Sequence, residues 1–551
     1  MLENAPSGQA DGPHSSRPTV LEVLDGRASR RGSPGTLHEG AAAFSFADIA
    51  RASRHVASGL HRLGVGRGDK VAIWLPDTVA WPIVFLACAR LGAVGVAVNT
   101  RFRSHEVGDI LKRSEARVLV LWPGFKGIDF AAILGDVEPA ALSALRAVVL
   151  YGGAPDAGPP DNTPAAWRPP QGKQTVWYAA LAASPALTDA EGAHHPDAAC
   201  LIFTTSGTTR APKFVQHSLR TLSEHAHDVC RGFEVDGNSA LLMTVPFCGV
   251  FGFVQAMAAL LADCRLCIAP VFDAAQAAAA IERHGVTHLI GADSMFDQLL
   301  AVRDGPFPTL RHCAYGAFSP SLADIGQRAA RRGLALRGLY GSSEVQALFS
   351  VQDLSLDGEQ RVLAGGRPVS PRAAVRARDV DSGVILPHGP VGELEIRGPS
   401  VMLGYAGNEE ATRAAFTADG WFRTGDSGYT LADGRFVYLT RLGDALRLSG
   451  FLVAPAEIEA VIMGFAGVAD CQVVGVTTLS GVKPFAFVLL HPGATLDEQA
   501  LIGHCRARMA AYKVPVRTVA IDAFPVTQSA NATKVQKNRL QQMATDILGG
   551  A

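Results

Sequence analysis

The sequence predicts an α/β fold: a large N-terminal domain on parallel sheet, a small β-rich subdomain, and a small α+β region at the C-terminus. Three observations carry this. Apolar strand, helix and strand follow one another over Val71–Leu75, Trp81–Leu91 and Val94–Val98, the spacing of parallel strands joined by a crossover helix. Near residue 360 short strands bounded by Gly and Pro take over, as in Gly392-Glu393-Leu394-Glu395-Ile396-Arg397-Gly398. From about residue 445 helical and extended patterns mix again. The 551 residues also exceed one domain at roughly 100–200 residues each.

In chain order, residues 1–20 are polar and rich in Ser, Gly and Pro, without a basic start and apolar run. They read as a disordered tail and not a signal peptide. Ser45 to Gly64 predicts an amphipathic helix with Ile49, Val56, Leu60 and Leu63 on one face and Ser45 as N-cap. Gly92 stops the helix that begins near Trp81. Further strands are expected at Val118–Leu121, Ala147–Leu150 and Leu289–Ile290, and a Pro- and Gly-rich surface loop at 154–173. Val245–Ala262 is uncharged and nearly long enough for a membrane span, but Pro246, Gly249, Gly252 and Gln255 interrupt it. It reads as strand, turn and buried helix. In the last region Pro455–Ile462 is helical, and Cys471–Val476 and Ala486–Leu490 are extended.

Composition narrows the function. Hydrophobic residues are 48% and charged residues 18% of the chain, enough for a core and too apolar for global disorder. The net charge of -1 argues against a nucleic-acid binder, which needs a basic surface, and gives no reason for an anionic membrane partner. Nine scattered cysteines suit a reducing, cytoplasmic setting better than a disulfide framework. Cys264 and Cys267 form a C-x-x-C without a second ligand pair, and read as small buried apolar residues. Only nine residues are Lys, so a Lys inside a motif is informative.

The strongest local signal is Thr204-Thr205-Ser206-Gly207-Thr208-Thr209-Arg210-Ala211-Pro212-Lys213, entered from apolar Cys200-Leu201-Ile202-Phe203. A strand opening into a Ser/Thr/Gly loop offers N–H groups and hydroxyls to an anion, and Arg210 and Lys213 add positive charge. It is not the G-x-x-x-x-G-K-S/T loop. The segment resembles the T-S-G-T-T-G-x-P-K-G signature of the adenylate-forming superfamily: acyl-CoA synthetases, luciferases and peptide-synthetase adenylation domains. Arg210 and Phe214 stand where that signature has glycine. Four later segments match in order: Tyr340-Gly341-Ser342-Ser343-Glu344, Trp421-Phe422-Arg423-Thr424-Gly425-Asp426, Arg441-Leu442-Gly443-Asp444, and Asn531-Ala532-Thr533-Lys534.

The resemblance implies doubly wound sheets in an N-terminal AMP-binding domain (21–440) and a small mobile lid (445–551). It implies ATP, Mg²⁺ and coenzyme A, with ATP or AMP held by residues 205–210, Tyr340, Gly341, Ser342, Asp426 and Arg441. Glu344 would take the metal, Lys213 and Ser343 the phosphates, and Lys534 would be the catalytic lysine. Asp444 would be the hinge, and Gly450 and Phe451 would lie on the CoA path. Phe247, Gly249, Val250, Gly316, Ala317 and Gly341 would surround the acyl group. The segment Val245–Gly252 has no carboxylate, so a substrate ammonium would be buried without a partner. The expectation is an apolar acid, medium- or long-chain fatty or aryl, converted to its CoA thioester in lipid metabolism. Loading of an acyl carrier protein and non-catalytic binding are the alternatives. The chain ends soon after Lys534, without an appended carrier domain, which favours CoA, and a homodimer is left open.

Overall fold

The structure, a computed structural model, describes residues 17–28, 34–155, 167, 169–188, 195–204, 213–318, 322–448, 451–478, 481–509, 511–528 and 533–549. Two large sheets dominate. The first has eight strands, in the order Gly404–Tyr405, Phe214–Ser218, Ala199–Thr204, Val94–Ala97, Lys70–Trp74, Val118–Leu121, Ala147–Leu150, Gln174–Trp177. From Ala199–Thr204 onward every neighbouring pair is parallel.

Both faces of this sheet are covered, as alternation requires of a parallel sheet. Val71 and Ile73 enter one core cluster, Ala72 and Trp74 the other. The first cluster also takes Leu241, Met243 and Ile290 from the second sheet, so helices Phe46–Arg62, Ala80–Arg90, Leu219–Gly232 and Val250–Ala262 are shared between the sheets. Leu242 and Leu289 point the other way, into a third cluster with helices Ala274–His284, Asp293–Ala301 and Ile325–Arg331. The doubly wound expectation is therefore met on both sheets.

The second sheet has 13 strands. Its parallel part runs Leu336–Ser342, His312–Gly316, His288–Ala292, Ala240–Met243, Arg265–Ile268, Thr36–Glu39. The β-rich stretch after residue 360 is antiparallel and continues this sheet through Gln346–Val351 and Gly365–Pro368 to Phe436–Arg441, Phe422–Thr430, Gly392–Arg397 and Ala374–Arg378. The carboxylate of buried Glu395 is held across the strands by Arg376 Nε at 2.5 Å and Arg378 Nε at 2.6 Å.

Helix Phe46–Arg62 starts where the sequence places it. Ser45 Oγ accepts from Asp48 N, and Asp48 accepts from Ser45 N, each at 3.1 Å. The apolar 245–262 stretch becomes a turn closed by Gly249 N to Pro246 O at 3.0 Å, then helix Val250–Ala262. Its 13 residues span about 20 Å at 1.5 Å each, short of the roughly 30 Å of a bilayer core. A side chain at Gly252 would put Cβ 2.3 Å from Val245 O, so glycine lets the helix lie on its own entry turn. Among the described residues no helix is long and apolar enough to cross a membrane. The nine cysteines are unpaired, and burial pushes the Cys264 and Cys267 thiols up to about 12.

Of the expected tail, residues 1–16 lie outside the described residues, and 17–20 rest on the fold. Arg17 pairs with buried Asp228 at 2.9 Å, and Thr19 and Val20 are buried. The Arg17 ion pair and a hydrogen bond from Val20 N to Ser223 Oγ at 3.0 Å tie residues 17–20 to helix Leu219–Gly232, which polar composition alone does not reveal.

The C-terminal region has its own core. Leu446, Ile458, Val473 and Leu501 share one cluster, Val474, Phe485 and Leu540 another, and all their members lie at or beyond Leu446. Strands Val468–Thr478 and Gly481–Leu490 pair antiparallel, extending the expected segments, and helix Pro455–Met463 packs beside them.

Candidate active site

The phosphate-loop residues Thr205, Ser206, Gly207, Thr208, Thr209 and Arg210 lie outside the described residues. Their stems are fixed: Thr204 pairs with Phe214 across the hairpin, and Thr204 Oγ1 donates to Ala97 O at 3.0 Å. Phe214, in place of the usual glycine, buries its ring in the second core cluster beneath the Arg113 guanidinium, 4.2 Å from the ring centre.

At the loop's exit Lys213 Nζ lies 4.5 Å over the Tyr405 ring and 3.4 Å from its hydroxyl. Tyr405 OH donates to Glu344 Oε1 at 3.0 Å. Burial, then the Glu344 charge, hold the Tyr405 phenol far above its ordinary value, so it stays a donor. This relay joins the first sheet, which holds Tyr405 beside Phe214–Ser218, to the second, which carries Glu344. Two backbone contacts reinforce it: Met402 N donates to Glu344 O at 2.7 Å, and His217 Nε2 lies 2.8 Å from Ser343 O. Burial pushes His217 down to about 4, leaving the ring neutral.

Beside the relay, Tyr340 OH donates to Asp426 Oδ2. Asp426 is 2% exposed and faces its cross-strand partner Arg441, whose Nε is 3.0 Å from Oδ1. That contact lacks hydrogen-bond geometry, so Oδ1 keeps unused acceptor capacity in a buried place. Burial raises the Asp426 carboxyl to about 6 against the opposing pull of Arg441 and the Tyr340 hydroxyl. Arg441 also donates to Thr424 O at 3.0 Å while its side chain stays 52% exposed. Asp444 follows in a turn closed by its N–H to Arg441 O at 3.0 Å.

The hairpin carrying Tyr340 and Glu344 turns back through Gln346 and Leu348, both left-handed at φ 64° and 62°. Such backbone costs about 1–2 kcal/mol per non-glycine residue. Buried Gln346 offsets part of this by donating to Thr221 O at 2.9 Å. A Cβ on Gly341 would stand 2.6 Å from Ala347 Cα. Glycine at 341 thus permits the hairpin's close approach.

The other expected acyl residues divide. Phe247 is fully buried, with its ring stacked on Trp81 at 5.6 Å and its N–H on Asp77 Oδ1 at 2.7 Å. Gly249 caps and Val250 begins the buried helix. Gly316 ends its strand and Ala317 is exposed just beyond. A cavity of about 820 Å³ opens at the C-terminal strand ends, bounded by Thr244, Pro246, Ile268, Met295, Asp77 and Arg101. Its walls come from distant segments of mixed polarity, which gave no sequence signal. Tyr405 was missed too, because a two-residue strand has no periodicity. Gly450 and the Phe451 and Lys534 side chains fall outside the described residues. The Lys534 backbone pairs with Thr527 in a short hairpin.

The family model of AMP-binding enzymes matches residues 26–406, and that of the AMP-binding enzyme C-terminal domain matches 457–531. A methyl-dioxo-octahydroindenyl-propanoyl:CoA ligase of Mycobacterium tuberculosis is 32% identical over 90% of this chain and 94% of its own. A feruloyl-CoA synthase of Amycolatopsis is 30% identical over 91% and 95%. ATP-bound MatB from Rhodopseudomonas palustris superposes with a TM-score of 0.78 at 25% identity, over 96% of this chain and 99% of that one. With ordered motifs, two doubly wound sheets and two matching family models, the chain belongs to the adenylate-forming AMP-binding enzymes, of the acyl-CoA synthetase type.

Proposed function

We propose that the protein activates an apolar, ring-bearing or long-chain carboxylic acid with ATP and transfers the acyl group to coenzyme A. The observation that carries this reading is the Lys213–Tyr405–Glu344 relay beside the Tyr340–Asp426–Arg441 cluster. On this reading Lys213 offers positive charge to phosphate, Glu344 a carboxylate to a cation, and Asp426 an acceptor to sugar hydroxyls, all where the two sheets meet. Relatives named for feruloyl and dioxo-indenyl-propanoyl acids favour a ring over a plain fatty chain.

Asp426 Oδ1, buried with spare acceptor capacity, fits a ribose hydroxyl, and the exposed outer half of Arg441 can reach a second one. The Glu344 carboxylate is a hard oxygen donor fit for Mg²⁺, with the remaining oxygens supplied by phosphate and water. When bound there, the ion polarises phosphate oxygens and neutralises their charge. Lys213 holds the phosphates beside Tyr405. The acid's carboxylate attacks the α-phosphorus and pyrophosphate leaves; Lys534, brought in by the C-terminal domain, stabilises the developing charge. The CoA thiol then attacks the acyl carbon and AMP leaves. The separate core beyond Leu446 supports rotation of that domain about Asp444 between the two steps.

The test is a panel of acetate, octanoate, palmitate, benzoate and cinnamate, scored by AMP release with and without CoA. Thioester formation on octanoate, palmitate or an aryl acid, with CoA-dependent AMP release, is expected. Preference for acetate, or turnover only with a carrier protein, would overturn the reading.

Glu344→Gln should cut acid-dependent pyrophosphate exchange by at least about 100-fold, since metal Lewis-acid stabilisation is worth several kcal/mol, while leaving the circular dichroism spectrum intact. Lys534→Ala should also lose exchange, yet keep much of the rate of thioester formation from synthetic acyl-AMP and CoA.

The raised Asp426 carboxyl sets a pH dependence. A proton taken up below about 6 removes the negative acceptor, so the KM for ATP should climb several-fold as pH falls from 7.5 to 5.5. In Asp426→Asn the KM should be high at every pH and the slope absent.

A further inference from the structure

Strands His288–Ala292 and His312–Gly316 are parallel neighbours whose register ends at Ala292 opposite Gly316. Beyond that point one chain turns into helix Asp293–Ala301 and the other runs on as Ala317 and Phe318. The ladder cannot serve the Phe318 N–H past its last pair. The Asp293 side chain does: Oδ2 accepts from Phe318 N at 2.7 Å, while Oδ1 accepts from Ser294 N at 2.7 Å in the helix's first turn. Asp293 is 1% exposed. A buried carboxylate held by backbone N–H groups at a helix N-terminus is strongly localised.

Two features meet at this one group. On one side, Ser294, Met295 and Gln298 of its helix line the 820 Å³ cavity. On the other, the Phe318 ring folds over Gly316, where a Cβ would meet it at 2.9 Å, and remains 42% exposed. The Tyr315 ring, just before the ladder's end, packs edge-on against Phe296 of the same helix, centroids 6.5 Å apart.

We infer that Asp293 is a positioning residue for adenylate formation: its carboxylate locks the Gly316–Phe318 segment to the cavity-lining helix and so sets the distance between nucleotide and acid. This rests on the proposed reading that residues 316–317 border the acyl group. Asp293 acts through the loop and touches no substrate.

The test compares wild type, Asp293→Ala and Asp293→Asn. Asn keeps one accepting oxygen and so one of the two bonds. Wild-type pyrophosphate exchange with the best acid of the panel comes first; if wild type makes no adenylate, the functional reading fails and not this inference alone. With an active wild type, Asp293→Ala should raise the KM for acid and for ATP about tenfold or more, with kcat changed less than threefold. Asp293→Asn should fall between. The KM for CoA in the second step, started from synthetic acyl-AMP, should stay within twofold of wild type. Unchanged KM values for acid and ATP, with or without a lower melting temperature, would overturn the inference. So would an equal rise in all three KM values, which marks general damage. If Asp293→Ala does not fold, Asp293→Asn decides by the same criteria at about threefold.

Discussion

The buried charge on Asp426 constrains much of the site. A carboxylate almost wholly out of water is tolerated only with partners, and here they are Tyr340 and Arg441 from two other strands. Meeting that demand holds three elements in mutual register: the Leu336–Ser342 strand, the Phe422–Thr430 strand and the Phe436–Arg441 strand. The antiparallel continuation of the second sheet brings the last two beside the end of the first. Without it, Asp426 and Arg441 would have no reason to stand near the tyrosine-glycine hairpin.

From that register the rest follows. With Tyr340 fixed, the hairpin must turn sharply, through two left-handed residues and a glycine closed on by backbone. The turn presents Glu344 to Tyr405, and Tyr405 brings in Lys213 from the other sheet. A hydrogen-bonded relay of tyrosine, carboxylate and lysine is directional, unlike the apolar helices packed between the sheets, so it sets the local geometry where they set only the layer spacing.

The fold was legible where a short-range pattern exists. Val71–Leu75 and Val118–Leu121 are apolar on both faces because both faces are covered, and the Ser45–Asp48 cap announces its helix. Strand order was not legible: Ala240–Met243 lies between strands from residues 265 and 288, a pairing set by tertiary packing. The hairpin Thr36–Glu39 and Ala42–Ser45 escaped notice because its strands mix His, Glu and Ala without alternation. The motifs single out Tyr340, Glu344, Asp426 and Arg441; in the structure Tyr340 and Arg441 both reach Asp426, and Glu344 accepts from Tyr405. Phe247, expected at the acyl pocket, is buried in the core against Trp81; an aromatic beside a turn serves either purpose in a sequence. Tyr405 and Asp293 make hydrogen bonds to residues distant in the chain, which leave no trace in local composition.

The central claim is that the acid's own oxygen attacks the α-phosphorus of ATP. Labelling the carboxylate of an accepted acid with ¹⁸O and running the reaction with ATP and CoA tests it directly. The oxygen that bridges carbon and phosphorus in the acyl-adenylate must leave with the nucleotide, so mass spectrometry should find one ¹⁸O atom in the AMP released per thioester formed. Unlabelled AMP, or label in inorganic phosphate beside ADP, would contradict the account.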